Sequence, residues 1–117
     1  MTNKYKFWDW VSQNPILVHG YSLKEFKTAI KDCRNIILAG RSLYTIEHNL
    51  KFLLAYGTFK DVKICVSGGY RYRIGCAEVR LVSWENPEAA HRLQGIIGAI
   101  FDIEELTDEL EEAQCQN

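Results

Sequence analysis

Residues 35–40 read Asn-Ile-Ile-Leu-Ala-Gly, an unbroken apolar run fenced by a polar residue and a glycine. No other stretch restricts the fold as much. A strand with one wet face alternates apolar and polar side chains, whereas a run without alternation needs apolar neighbours on both faces. The run is therefore read as a buried central strand, and the rest of the chain must supply what flanks and covers it. The first cover follows at once. Ser42 opens a helix in which Leu43, Ile46, Leu50, Leu53 and Leu54 form one stripe, closed at Tyr56-Gly57.

Upstream, residues 3–12 (NKYKFWDWVS) are read as a helix whose aromatics dock on the body of the protein. Each large aromatic carries roughly 150–250 Å² of surface that has to be buried. Asn14-Pro15 breaks the chain, and 16–19 is short and extended. Ser22 and Glu25 make a capping box for a helix over 23–33, with Leu23, Phe26, Ile30 and Cys33 on one side. Downstream, 61–67 is a strand carrying Val62, Ile64 and Val66 on one face, and Gly68-Gly69 is a turn. Asn86-Pro87-Glu88 starts a further helix through Ala90, Leu93 and Ile97, which Gly98 ends. Residues 99–103 are then a short edge strand, and 104–113 an acidic helix with Leu106 and Leu110 on one side. One long helix from Pro87 onward is the alternative.

Between these lies 70–84, YRYRIGCAEVRLVSW, which alternates in two phases. In the first half Tyr70 and Tyr72 share one face and Arg71 and Arg73 the other. In the second half Ala77, Val79 and Leu81 share a face opposite Glu78, Arg80, Val82 and Trp84. The change of phase breaks the pleat, and Gly75 marks the place. The stretch is thus an aromatic and basic loop or hairpin extension followed by a strand from about residue 77.

At 117 residues the chain is one small domain, and its 47% hydrophobic and 25% charged content is that of a globular protein. No apolar run approaches the ~18 residues of a membrane span, so no membrane partner is expected. Residues 1–85 hold 13 Lys/Arg against 7 Asp/Glu, while 86–117 hold Arg92 alone against 8 Asp/Glu. Such a division fits a basic body that meets an anionic partner, or an acidic tail that folds back or stays solvated. Cys33, Cys65, Cys76 and Cys115 form no CxxC pair, and a reducing compartment, cytoplasmic or nuclear, fits best.

From residue 35 the order strand, helix, strand, strand, helix, strand is the split βαβ, ferredoxin-like arrangement. Within it, Ile36-Ile37-Leu38-Ala39-Gly40-Arg41 resembles the first-strand hexamer of an RNA-recognition-motif (RRM) domain. Thr45, Glu47 and Leu50 resemble the start of that family's first helix. Tyr56-Gly57-Thr58-Phe59-Lys60-Asp61-Val62-Lys63-Ile64 is similar to its turn into the second strand, and 82–90 (VSWENPEAA) to the passage from third strand to second helix. The resemblance covers 35–103 and implies an α+β, ferredoxin-like (RRM-like) antiparallel sheet with two packing helices. Residues 1–34 are then an N-terminal helical extension, and 104–117 an acidic C-terminal helix and tail. The family stacks bases on aromatics of its central strands. Here Ile37, Val79 and Leu81 hold those sheet-face positions, so the platform is degenerate and lacks a stacking energy of ~1–3 kcal/mol per base. An open aliphatic face of that kind needs a cover, from the N-terminal helices or the acidic helix.

No catalytic set is identifiable, since nucleophilic catalysis needs a base and an orienting partner beside the nucleophile. His19, His48 and His91 are scattered and lack metal-ligand spacing with the cysteines, so no metal and no cofactor is expected. Gly68-Gly69 and Gly40-Arg41-Ser42 match no phosphate-loop pattern. What remains is a non-catalytic binding module. The first partner reading is RNA or single-stranded nucleic acid, held by Tyr70, Arg71, Tyr72 and Arg73 with Arg41, Lys60, Lys63 and Arg80 nearby. The second is a protein partner, with the chain acting as adaptor or small inhibitor through its aromatic N-terminus, sheet face or acidic helix.

Overall fold

In the computed structural model of the chain, which describes residues 3–57, 59, 64–66 and 70–115, the 35–40 run becomes β2 (Asn35–Gly40), with a parallel strand on each side. It is preceded by α1 (Asn3–Ser12), β1 (Leu17–His19) and α2 (Leu23–Lys31). It is followed by α3 (Leu43–Tyr56), β3 (Ile64–Val66), β4 (Arg71–Ile74), β5 (Ala77–Ser83), α4 (Ala89–Arg92), β6 (Gly98–Asp102) and α5 (Ile103–Cys115). Both predicted caps form: the Ser22 and Ser42 hydroxyls accept from the N–H groups of Glu25 and Thr45, each at 3.1 Å.

The chain is an α+β protein with one mixed sheet of order β1-β6-β2-β5-β4-β3. The antiparallel ferredoxin-like order is not what forms. β1, β6, β2 and β5 are parallel neighbours, and only β5-β4-β3 run antiparallel. The physical reason lies in 71–74, expected as a loop or hairpin extension but present as a full strand. One added reversal between β3 and β5 turns β5 parallel to β2. The long connections through α2 and α4 then bring in further parallel strands, as crossovers of a dozen or more residues allow. The 98–102 strand is likewise not an edge: β6 lies between β1 and β2, and all five of its residues are buried.

Each face of the sheet has its own core. Phe26, Ile36, Leu38, Leu50, Leu53, Val79, Phe101, Leu106 and Leu110 pack where α2, α3 and α5 cover one face. Phe7, Val11, Ile37, Ala39, Trp84, Leu93 and Ile100 pack beneath α1 and α4 on the other, with Trp8 and Trp10 partly buried against them. The segment before 35 thus contributes to both cores, and the segment after 103 to the first. Gly40 is required where α3 and α5 converge on the end of β2, because a Cβ there would lie 2.5 Å from Ile46 and 3.0 Å from Ile103.

The expected sheet face of Ile37, Val79 and Leu81 does not exist as one surface. Parallel register pairs Ile36 with Val79 and Leu38 with Leu81, which leaves Ile37 beside Arg80 on the opposite side. All three side chains are buried, in two different cores. The second core is the smaller one. The helix expected from Pro87 to about residue 97 contracts to Ala89–Arg92, because Asn86 caps the N–H of Glu88 in a turn and the chain reverses at Gly95 in a left-handed conformation (φ 81°). So short a helix gives only Ala89 to this core, with Leu93 following at its end. No helix among the described residues is long and apolar enough to cross a membrane.

Two of the cysteines are paired, although the sequence holds no CxxC pair. Cys33 lies past the end of α2 in a left-handed conformation (φ 56°) and is joined by a disulfide to Cys76 in the β4–β5 turn, with Cα atoms 4.9 Å apart. Cys115 is free and exposed.

Candidate nucleic-acid interface

Strands β4 and β5 meet at a two-residue turn, Gly75-Cys76, in which Gly75 takes φ 62°, a conformation open to glycine at no steric cost. The alternation read in the sequence is preserved on both sides of that turn. Tyr72, Ile74, Ala77, Val79 and Leu81 point into the core, and Arg71, Arg73, Glu78 and Arg80 point out. The break of phase at Gly75 is therefore the turn itself. On the outer face Arg71 stands directly opposite Arg80, and Arg73 opposite Glu78. Glu78 reaches both Arg71 (3.9 Å) and Arg80 (4.0 Å), so one carboxylate serves two guanidinium groups. Arg73 is exposed and has no ion pair among the described residues.

Where this face runs up to α4 it deepens into a cavity of about 250 Å³. Its polar lining comes from Tyr70, Arg71, Arg80, Ser83, Asn86 and Arg92, and no carboxylate among the described residues lines it. Arg92 was missed by the sequence reading. It lies in the acidic third of the chain, at the end of α4, and lines the cavity together with Arg71 and Arg80.

The other expected site residues divide. Tyr70 precedes β4, is exposed, and adopts φ 50°, while its carbonyl still accepts from the N–H of Leu81 (3.0 Å). Tyr72, expected beside it on the binding surface, is buried at the opposite face, and its hydroxyl donates to Glu47 (2.7 Å). A tyrosine inside a core needs such a partner. Burial and the adjacent carboxylate push its pKa up to about 12, and the same bond lowers that of Glu47. Arg41 is exposed in the β2–α3 link and does not line the cavity, although its carbonyl accepts from the Ser83 hydroxyl (2.7 Å). Lys60 and Lys63 lie outside the described residues.

A second cluster gathers where the parallel strands end. Asp102, at the end of β6, is buried; its Oδ1 accepts from the N–H of Glu104 (2.9 Å) and its Oδ2 lies 3.9 Å from Lys4 Nζ. Burial raises its pKa, against the opposing pull of that N–H and of Lys4. Lys4 also sits 5.1 Å from the centre of the Trp84 ring. Nearby, His19 is stacked between Trp8 (4.4 Å) and Tyr21 (4.0 Å), and desolvation lowers its pKa. His48 and His91 are exposed. Among the described residues no group of three or more His, Cys, Asp or Glu could hold a metal ion. Comparison with protein-family models, with curated proteins and with solved structures finds no match for this chain.

Proposed function

We propose that the protein binds single-stranded nucleic acid, RNA in the first instance, across the outer face of the β4–β5 hairpin. The observation that carries this reading is the direct cross-strand pairing of Arg71 with Arg80. Like charges opposite one another destabilise a strand pair, and a hairpin serving the fold alone would place a neutral or opposite residue there. Glu78 offsets part of that repulsion and leaves Arg73 and the remaining positive charge facing outward. Guanidinium groups spaced along two adjacent strands suit a phosphate backbone, and exposed Tyr70 offers a ring on which a base can stack.

The ligand class is the one the RRM resemblance implies, but the surface differs, because the family's usual positions are buried here. The protein-partner alternative draws on the aromatic N-terminus, the sheet face and the acidic helix. Phe7 and Val11 of α1, Leu106 and Leu110 of α5, and the sheet face between them are occupied by internal packing. The arginine face is the better-supported surface.

Binding of an unstructured RNA oligonucleotide, followed by fluorescence anisotropy over a salt series, tests the proposal. Three phosphate contacts give a slope of log K against log salt of about −2. The double substitution Arg71→Ala, Arg73→Ala is expected to reduce that slope by about 1.4 and to weaken binding at least about tenfold. Absence of binding at low salt sinks the proposal.

A further inference from the structure

The cavity at the end of the hairpin has properties that a strand lying across an open sheet does not call for. It is concave, three arginines line it, and its remaining polar groups have few acceptors left to offer. The Asn86 side-chain oxygen already accepts from the N–H of Glu88 (3.0 Å), so its amide NH₂ is the part left to act on a ligand. The Ser83 hydroxyl gives its proton to the Arg41 carbonyl and accepts from the N–H of Glu85 (3.2 Å), so it is satisfied internally. Glu78 holds Arg71 and Arg80 from outside the cavity and does not line it. A site rich in donors and with no carboxylate among the described residues that line it selects an anion over a neutral or cationic group.

We propose that this cavity holds the terminal phosphate of the bound strand, a phosphate monoester, with the terminal base stacked on Tyr70 at the rim. The inference rests on the nucleic-acid reading above. An internal phosphodiester carries one negative charge and has chain on both sides, so it brings less charge to the three arginines that line the cavity. A terminal monoester carries close to two charges at neutral pH and has chain on one side only. Its three oxygens match the forked donors of Arg71, Arg80 and Arg92 and the amide of Asn86.

The test compares one short single-stranded RNA in three forms, 5′-phosphorylated, 3′-phosphorylated and with hydroxyls at both ends. One phosphorylated form is expected to bind at least about tenfold more tightly than the hydroxyl form, the effect of one or two added charge-assisted hydrogen bonds. That preference should fall as pH is lowered from 7.5 to 5.5, because the second ionisation of a monoester lies near 6. Arg92→Ala and Asn86→Ala, with folding checked by thermal melts, should abolish the preference, so that each variant binds its phosphorylated and hydroxyl forms equally. Equal binding of all three forms overturns the inference and leaves the open-face reading standing. Failure to bind any of them overturns both.

Discussion

Asp102 illustrates how one side chain is given two demands at once. It ends an inner strand, where burial disfavours charge, and it begins α5, where an oxygen acceptor is needed for the orphan N–H of Glu104. Its pKa is raised with burial as the largest cause, so the folded state holds its proton more tightly than the unfolded chain does. The stability this provides is fully present below the ordinary carboxylate value of 3.8 and is lost as pH rises through the folded-state value. Asp102→Asn keeps the acceptor and removes the buried charge. Denaturant unfolding at pH 3, 5 and 7 should therefore show the Asn variant gaining on the native protein as pH rises. Asp102→Ala should lose about 1 kcal/mol of capping relative to the Asn variant at every pH. A deficit of the Asn variant that grows toward neutral pH would show instead that Lys4 outweighs burial. At this scale the sequence is legible where chemistry is local. The serine caps at Ser22 and Ser42 are set by residues three positions away, whereas Arg92 and the Tyr72–Glu47 bond depend on how distant segments meet.

The hairpin shows the same division between elements. Gly75 was readable as a break because two alternations of opposite phase meet there. That the residues before it form a strand was not readable, since Arg-Tyr-Arg-Ile looks the same at a solvated hairpin tip as in a ladder. The error was one strand, yet it reverses the direction of β5 and with it the architecture. The helix after Pro87 was overestimated for a related reason: the apolar spacing of Ala90, Leu93 and Ile97 suits a helix, but Gly95 turns the chain back and leaves Ile97 exposed. The turn of the hairpin is bonded through Cys76 to Cys33 at the end of α2, both exposed and separated by 43 positions. Closing a loop of that size stabilises a fold by roughly 2–4 kcal/mol. Cys33→Ser with Cys76→Ser, or reduction of the native protein, should lower Tm and speed hydrogen exchange at residues 71–74. Unlinked Cys33 and Cys76 peptides in a non-reducing digest, or a Tm indifferent to reductant, would refute this.

For the molecule as a whole, α1 and β1 are built into one of the two cores that sandwich the sheet, and α2 and α5 into the other. The central run and the need to cover it were legible, because an unalternating strand states its own requirement. Which segment covers which face was not, because that depends on strand order. Phe7 is 5% exposed beneath α1 and faces the core that contains Ile37 and Ile100. Phe7→Ala is therefore expected to remove about 3 kcal/mol from the stability of the whole protein in a single transition with unchanged m-value. A loss below about 1 kcal/mol, or a separate early transition, would instead identify α1 as an appendage.

The position of β6 has a consequence for how the chain comes off the ribosome. Leu17 pairs with Gly98 and His19 with Ile100, so β1 has no partner until a strand some eighty residues later has been made. That later strand also enters between β1 and β2, which are never neighbours in the finished sheet. The nascent protein must therefore keep Leu17 and one edge of β2 waiting until β6 has been made, and β6 closes the sheet by insertion. A chain cut short before residue 98 lacks the strand that joins β1 to the rest of the sheet.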